Sequence, residues 1–297
     1  MISVQIRRAT TADLPGVWNI LYAIEHGTAG EGSPADLVPS YLAHEMAAGE
    51  MWVAEREGGL VGYAALIARG NVAFIAELFV RSEHQSGRIG TALLGRLLEL
   101  DLPIVCTMSS ADPRALGLYI RAGVLPQWPH FHLAGSPARL PEPIGGVEIV
   151  PAGSEPEDIL EWDAEIGGRR RPQEHAFWRS TGATSVWCRR GRAIIGYGHV
   201  HDVRTDGRQP ATVMLGPIGP RSPGDAEACV GAILRWVRGR GDVAHIGVPG
   251  PHPSLPVLLR AGFRIRSVET FCSSSSTRFF DPRAYIPSLT LEGTALL

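Results

Sequence analysis

The sequence predicts an α/β protein made of two tandem domains of one type. Segments with the two-residue period of strands alternate with segments of helical period, which is typical of this class. Residues 134–146 (AGSPARLPEPIGG) are rich in proline and glycine and lack an apolar period, so we predict a semi-rigid linker there. Beyond it the same order of elements begins again. The predicted domains are therefore 1–133 and 147–297.

Two short sequence matches support an internal repeat. They pair Val61-Gly62-Tyr63 with Ile195-Gly196-Tyr197, and Arg121-Ala122-Gly123 with Arg260-Ala261-Gly262. Both pairs are separated by nearly the same length of chain, as two copies of one fold require.

The composition limits the class of protein. The chain has 297 residues, of which 44% are hydrophobic and 20% charged, which is enough apolar mass for two cores. The net charge of −2 argues against nucleic acid or an anionic membrane as a partner. No run is apolar enough to span a bilayer, and the first residues lack a signal-peptide core. The four cysteines form no C-x-x-C pair, so we expect them to be reduced and mostly buried in a cytoplasmic protein.

The first domain opens with a strand over 4–8, where apolar and polar residues alternate. Thr11 or Asp13 can cap the helix that follows, whose apolar residues recur at helical spacing. A second helix is expected to end near residue 48, before a β-hairpin that turns at Gly58-Gly59. The remaining predicted strands lie over 74–80, 104–109 and 125–133, and helices begin near residue 89 and over 113–121.

The second domain repeats this order. Its strands are predicted over 147–150, 183–189, 193–203 and 211–215, and its helices over 155–166 and 222–237. A triplet of arginines, Arg169 to Arg171, is interpreted as a solvated charge run. Two His-x-His pairs, at 130 and 132 and at 199 and 201, are interpreted as polar strand faces, because a third metal ligand is missing from the pattern.

An anion-binding turn is predicted at the centre of the first domain. The apolar strand over 74–80 leads through a short polar turn with Gly87 and Gly90 into an amphipathic helix. A helix N-terminus with free N–H groups carries about half a positive charge and binds phosphate-like groups. The sequence therefore predicts a phosphate cradle between this strand and this helix.

The turn resembles motif A of the GNAT acetyltransferase superfamily, R/Q-x-x-G-x-G/A, whose amides hold the pyrophosphate of acetyl-CoA. Gln85 and Gly90 fit the first and last positions, and Ile89 fits the apolar filler. Arg88 stands where the middle glycine is expected, with Gly87 one residue early. The resemblance assigns acetyl-CoA binding to the strand end, the turn and the helix start: Leu78, Phe79, Val80, Gln85, Ser86, Gly87, Arg88, Ile89, Gly90 and Thr91.

Residues 112–123 resemble motif B of the same superfamily, N-P-x-A-x-x-L-Y-x-R-x-G-F. Asp112 replaces the asparagine and Val124 the phenylalanine. The resemblance implies that Tyr119 donates a proton to the departing CoA thiolate, which leaves more easily when it is protonated. It also places Asp112 and Ala115 beside the donor. The spacing alone favours the alternative, in which Tyr119 is a half-buried aromatic on an amphipathic helix.

Glu77 interrupts the apolar run over 74–80, and a buried carboxylate requires a partner or a cleft. The resemblance implies a general base that takes the proton of the attacking amine, while the alternative is a carboxylate paired with an arginine on a solvated face. It also implies that the peptide groups of Leu78 and Val80 bind the pantetheine arm. The implied fold is a pair of GNAT-like domains, each a mixed, mostly antiparallel twisted sheet with a splayed parallel central pair and flanking helices.

The second domain keeps the predicted order of strands and helices but lacks the residues that carry the predicted chemistry of the first domain. Leu258 stands at the position of Tyr119, and three prolines follow the strand over 211–215, removing donors from the turn. We predict an acetyl-CoA-dependent N-acetyltransferase with its site in the first domain. Catalysis in the second domain and a non-catalytic acyl-CoA-binding or regulatory protein are the alternatives.

The acceptor is predicted to be a small-molecule amine. Glu25 is assigned as a weak contact at the end of the first helix, and Glu31, Asp36 and Glu45 near the same pocket favour a cationic molecule. The pattern gives no metal site and leaves the oligomeric state open.

Overall fold

The computed structural model describes residues 4–26, 38–85, 88–140, 145–153, 158–203, 211–275 and 278–287. The chain divides into two compact units. Unit 1 is built from the described parts of Met1–Thr107, Pro113–Leu125 and Ser273–Ser275, and unit 2 from the remaining described residues.

Unit 1 contains the predicted order of strands and helices up to the helix over 113–121, whereas the closing strand predicted over 125–133 belongs to unit 2. Its elements are β1 (Gln5–Arg8), α1 (Leu14–His26), α2 (Ser40–Ala48), β2 (Glu50–Arg56), β3 (Gly59–Arg69), β4 (Val72–Val80), α3 (Ile89–Leu98), β5 (Ile104–Ser109) and α4 (Pro113–Arg121). The sheet order is β1-β2-β3-β4-β5. All neighbours are antiparallel except β4 and β5, which are parallel.

The parallel pair of unit 1 separates halfway along β4. Pairing between β4 and β5 ends at Ile75 and Thr107, where the Thr107 hydroxyl donates to the Ile75 carbonyl at 2.9 Å. At the same point Ala76 forms a β-bulge against β3, since the register shifts between Ala65 and Leu66. A bulge bends its strand and increases the local twist, which moves the C-terminal half of β4 away from β5.

The helices of unit 1 pack on the two faces of the sheet. Leu93 and Leu97 of α3 are fully buried, and each contributes about 2 kcal/mol of apolar burial. A Cβ on Gly62 of β3 would lie 3.3 Å from Leu93, so this position faces α3. Because side chains alternate along a strand, the neighbouring Tyr63 faces the opposite side, where α1 and α2 pack on the sheet.

Unit 2 has the same architecture with its own parallel pair. Its elements are β6 (Leu125–Gly135), β7 (Val147–Pro151), α5 (Ile159–Gly167), α6 (Pro172–Ser180), β8 (Thr184–Arg190), β9 (Ala193–Val203), β10 (Thr212–Pro220), α7 (Ala226–Trp236), β11 (Val243–Pro249), α8 (Ser254–Arg260) and β12 (Arg264–Ser273). The strand order is β12-β6-β11-β10-β9-β8-β7. The parallel pair, β10 and β11, separates after Leu215 and Ile246. The predicted fold class is confirmed in both units.

Several local predictions differ from the structure. The linker expected over 134–146 begins inside β6, which ends at Gly135 and has β11 and β12 as its partners. The helix α6 was not predicted. The arginine triplet is not a solvated run, because Arg171 is fully buried and Arg169 nearly so. The reason is a buried carboxylate, Asp163, which accepts two hydrogen bonds from Arg171.

The polar and sulfur-bearing residues of the interior are partly as predicted. All four cysteines are free and buried, as expected. His130 and His199 are buried and not on exposed polar faces. The His199 ring is covered by His175 and Trp178 of α6. In the described parts of the chain, no group of three or more histidine, cysteine or acidic residues is arranged to hold a metal ion. None of the described helices is long and apolar enough to cross a membrane.

Candidate active site

The end of β4 offers backbone groups to a ligand. The Arg81 N–H donates to the Val61 carbonyl at 2.9 Å, so Arg81 and Phe79 turn their peptide groups toward β3. Hydrogen-bonding direction alternates along an antiparallel strand, and the peptide groups of Leu78 and Val80 therefore point away from β3. In that direction β5 no longer pairs with β4. The peptide groups of Leu78 and the Val80 N–H lie where an extended ligand can add to the strand, while the Val80 carbonyl accepts from the Gln85 side chain.

The turn after β4 takes the conformation that a glycine-rich loop requires. Arg88 precedes α3 with φ 59° and ψ 11°, which is the left-handed region that favours glycine. This is the position where the family pattern has its middle glycine. The backbone conformation is therefore kept although the residue is not. Ser86 and Gly87 lie outside the described residues.

Replacing Arg88 by glycine is expected to stabilise the protein relative to alanine at the same position. A Cβ in the left-handed region costs about 1 kcal/mol, and glycine relieves this strain. The comparison of R88G with R88A removes the arginine side chain from both variants, so only the backbone effect remains. Urea unfolding should give R88G a higher free energy of unfolding by about 1 kcal/mol. Equal stabilities would show that the turn is not held in this conformation in solution.

The start of α3 provides donors beside this turn. Ile89, Gly90 and Thr91 form its first turn, and the first backbone bond into the helix runs from Ala92 to Arg88 at 3.0 Å. The first N–H groups of a helix have no intrahelical acceptor. Among the described residues no side chain caps this N-terminus. Helix starts with such unpaired donors are the kind of backbone arrangement that can bind phosphate.

Gln85 joins the turn to two neighbouring elements. Its side-chain N–H donates to the Val80 carbonyl at 3.1 Å, and its side-chain oxygen accepts a hydrogen bond from Arg114 of α4. The strand end, the turn and α4 are thereby brought together within unit 1. Ala115, also predicted beside the donor, lies half-buried in the first turn of α4.

Glu77 lies on the side of the sheet where α1 and α2 pack, which we call the inner face of unit 1. It stands at the point where β4 and β5 separate. It is 6% exposed, and the Tyr63 hydroxyl donates to its carboxylate at 3.3 Å. Burial, followed by the charge of Glu77, raises the pKa of Tyr63 well above its usual value, so Tyr63 remains a neutral donor. The predicted alternative of a solvated face does not describe this residue.

Tyr119 is buried on α4, next to a glycine-terminated helix end. Gly123 has φ 81°, and the Val124 N–H donates to the Tyr119 carbonyl at 3.0 Å, which is a left-handed C-terminal cap.

Asp112 precedes α4, is partly buried, and donates its N–H to the Ser110 hydroxyl at 3.4 Å. Glu25 is exposed near the end of α1. Glu31 and Asp36 lie outside the described residues.

The corresponding positions of unit 2 follow from identical hydrogen bonds. The Arg221 N–H donates to the Ile195 carbonyl at 3.0 Å, as Arg81 does to Val61 in unit 1. By this equivalence Pro217 stands at the position of Glu77, Ile218 at that of Leu78 and Pro220 at that of Val80.

The Phe263 N–H donates to the Leu258 carbonyl at 3.0 Å, so Leu258 occupies the position of Tyr119, as predicted.

The free edge of β10 is already used by the chain itself. The Ile218 N–H donates to the Ile286 carbonyl at 2.9 Å, and the Ile286 N–H donates back to the Ile218 carbonyl at 3.0 Å. These are the groups that point away from β9, as those of Leu78 point away from β3. Pro220 in addition has no N–H to offer. Unit 2 therefore lacks the open strand edge that unit 1 presents.

Two residues of the inner face of unit 1 were not assigned a role from the sequence. Tyr63 appeared only as part of the internal repeat, and Glu45 only as one of several acids near a pocket. Glu45 lies on α2 and is fully buried. A glutamate on a short helix of mixed composition gives no sign that it points inward, so the sequence signal was weak.

Comparison with known proteins gives one family match and several structures of similar fold. The family described as acetyltransferase (GNAT) domain matches residues 47–123, which hold β2 to α4. No curated protein matches the chain. A Pyrococcus horikoshii protein described as a candidate acetyltransferase is similar in structure, with 18% identity, a TM-score of 0.73, and coverage of 97% of this chain and 94% of its own.

Two further solved structures have the same fold. A GCN5-related N-acetyltransferase from Sphaerobacter thermophilus covers 98% of both chains at 15% identity and a TM-score of 0.61. A tandem GNAT protein from the clavulanic acid biosynthesis pathway covers 93% of this chain and 100% of its own, at 17% identity and a TM-score of 0.60. Such identities define the fold. The family match covers residues 47–123, which lie in unit 1, and the chain as a whole has a fold similar to that of these structures.

Proposed function

We propose that unit 1 is an acetyl-CoA-dependent N-acetyltransferase that acts on a small-molecule amine by direct transfer in a ternary complex. The observation that carries this proposal is the open edge of β4 at Leu78 and Val80, directly before an anion site at the start of α3. The first can hold an amide-containing arm by strand addition, and the second a diphosphate. The equivalent edge of unit 2 is closed by Ile286.

The residues of unit 1 fit the chemical steps of amide formation. Glu77 takes a proton from the acceptor, because an ammonium group has no lone pair with which to attack. The neutral amine attacks the thioester carbon, and the N–C bond forms as the C–S bond breaks. Tyr119 donates its proton to the departing sulfur and is restored by the second amine proton. Backbone N–H groups of β4 stabilise the oxyanion formed in between. Binding both reactants in one complex contributes the proximity effect.

Replacing Val80 by proline is expected to weaken acetyl-CoA binding by about ten-fold, or roughly 1.4 kcal/mol for a lost hydrogen bond to the ligand. The variant removes an N–H that points away from β3, so the ladder between β3 and β4 keeps its bonds. The natural Pro220 at the equivalent position of unit 2 shows that this backbone accepts proline. Isothermal titration calorimetry measures the affinity and the stoichiometry, which we expect to be one acetyl-CoA per chain.

The result distinguishes an acetyltransferase site in unit 1 from a site in unit 2 and from non-catalytic acyl-CoA binding. Two sites per chain, or unchanged binding by V80P, would contradict the assignment of the donor to unit 1. Binding without release of CoA thiol in the presence of a panel of amines would indicate a non-catalytic acyl-CoA-binding protein. The chain contains no lysine, so acetylation of its own lysine side chains cannot imitate turnover.

A further inference from the structure

Unit 2 contains a cavity at the end of β10. Its volume is about 520 Å³, and small-molecule sites in proteins commonly measure roughly 300–1,000 Å³. One wall is the last turn of α5, and a second is the end of β10 with the turn after it. The third wall is formed by residues 278–284, which we call the strap. All three walls belong to unit 2, so one unit forms the cavity alone.

The strap is held in place at both ends. Gly168 follows α5 with φ 73°, and a Cβ there would overlap the Phe279 carbonyl oxygen, so only glycine allows this approach. Just beyond the strap, Ile286 exchanges two backbone hydrogen bonds with Ile218 of β10. Because these contacts fix the strap against α5 and β10, the cavity is preformed, as ligand sites usually are.

The two acidic side chains of the cavity already have arginine partners. The Asp281 carboxylate accepts hydrogen bonds from Arg283 of the strap at 2.8, 3.0 and 3.2 Å, and these bonds lower the pKa of Asp281. Glu165 of α5 lies 4.0 Å from Arg221. Two of the lining arginines therefore balance the charge of the two acids.

Arg278 is a third lining arginine, and no further acid lines the cavity to match it. In the part of the chain that the structure describes, Arg278 makes no hydrogen bond or ion pair, and its guanidinium lies 5.7 Å from the Trp128 ring centroid. Its charge acts on Asp281, whose carboxylate oxygens are already bonded to Arg283. The described lining therefore carries one positive charge in excess.

The rest of the lining is apolar. It includes Ile166 of α5, Pro220 and Pro223 beside the end of β10, and Phe280 and Ala284 of the strap. A guanidinium binds a carboxylate through two parallel hydrogen bonds, and apolar walls gain from covering a hydrocarbon body. An ammonium ligand would instead meet the excess positive charge. The lining therefore fits a molecule with one carboxylate and an apolar body.

We propose that this cavity of unit 2 binds a small carboxylic acid in its ionised form, with the carboxylate on Arg278 and the apolar body against the proline and phenylalanine side chains. The site goes beyond the acetyl transfer proposed for unit 1 and does not depend on it. Unit 2, whose own strand edge is closed by Ile286, is in this assignment a ligand-binding module.

The test is calorimetric titration of three probes into the full chain at pH 7. The probe 3-phenylpropanoate has the charge and the apolar body, 3-phenylpropanamide has the body without the charge, and acetate has the charge without the body. We expect 3-phenylpropanoate to bind with a Kd of about 1 mM or lower. The other two should bind at least about ten-fold more weakly, since the charged pair with arginine and the burial of the phenyl ring each contribute that much.

The matched variants are Arg278→Gln and Arg264→Gln, which remove the same charge. Both arginines are exposed, and Arg264, at the start of β12, does not line the cavity. R278Q should bind 3-phenylpropanoate about ten-fold more weakly than wild type, with unchanged affinity for acetyl-CoA, and R264Q should match wild type for both ligands. Dependence on Arg278 assigns the heat to this cavity, since binding in unit 1 would be the same in all three proteins.

Three results would each overturn the proposal. They are no detectable binding of 3-phenylpropanoate by wild type up to about 10 mM, equal affinities for this acid and for its amide or acetate, and equal affinities of R278Q and R264Q for the acid. The comparison of the three probes uses wild-type protein, so it decides the matter even if R278Q does not fold. A lack of CoA thiol release with any amine would contradict the function proposed for unit 1 and leave these binding results unchanged.

Discussion

Glu77→Gln is expected to lower kcat by about 10²- to 10⁴-fold, the usual contribution of a positioned general base. Glutamine keeps the shape of the side chain and can still accept from Tyr63, so the sheet around residue 77 should retain its packing. The lost group is the proton acceptor at the point where β4 separates from β5. Steady-state kinetics with an aliphatic amine and acetyl-CoA measure the effect, with acetyl-CoA affinity expected to be unchanged.

The pH profile distinguishes a base from a merely structural residue. Without a base, only the free amine reacts, and its fraction rises about ten-fold per pH unit below an amine pKa near 10. The kcat/KM of E77Q should therefore climb steeply with pH and approach the wild-type value in alkaline solution. E99Q, which replaces an exposed glutamate at the end of α3, serves as the control for removal of one negative charge. A uniform loss at every pH, or no loss at all, would remove Glu77 from proton transfer.

The strand, turn and helix at the predicted donor site could be predicted from the sequence for a physical reason. An apolar strand followed by glycines and an amphipathic helix leaves few alternatives, since the stripe that includes Leu93 and Leu97 must be buried. The pattern also predicted that Leu258 replaces Tyr119, because both precede a glycine that ends a helix. Local periodicity and helix-end chemistry sufficed for these features.

The buried polar clusters could not be predicted from the sequence in the same way. α6 carries Glu174, His175 and Trp178 on its buried face, so its inward side has no apolar period to detect. Arg171 seemed solvated, since its partner Asp163 lies on another helix and no local rule joins them. No local pattern indicated that Glu45 is buried either. Such contacts depend on tertiary packing, which overrides composition.

The closure of the β10 edge was also hidden in the sequence. Ile286 lies far along the chain from Ile218, and nothing in its neighbourhood has the length or alternation of a strand. The two residues nevertheless exchange both backbone hydrogen bonds. The prolines of the turn pointed to a lost anion site, and the structure adds a second reason, the occupied strand edge.

Arg171→Met is expected to lower the free energy of unfolding by about 3–5 kcal/mol, because it leaves the charge of Asp163 buried without its main partner. In the wild type, Arg171 binds this carboxylate through two nitrogens and reaches the Pro287 carbonyl at 3.4 Å. His175 lies 2.9 Å from the same carboxylate. The adjacent Arg170 is the matched control, since its exposed ion pair with Glu161 contributes at most about 1 kcal/mol.

The pH dependence of this loss identifies the charge as its cause. Burial alone would raise the pKa of Asp163, but the Arg171 charge and the hydrogen bonds from His175 and Arg171 lower it well below its usual value. A carboxylate with a lowered folded-state pKa stabilises the protein above its unfolded pKa near 4, and this contribution is lost as the pH falls. The deficit of R171M should therefore be largest near neutral pH and shrink below about pH 4, where Asp163 can be protonated. Urea unfolding of wild type, R171M and R170M across this range measures it. A deficit independent of pH would instead assign the loss to packing around the arginine stem, and would contradict the role given to the Arg171 charge.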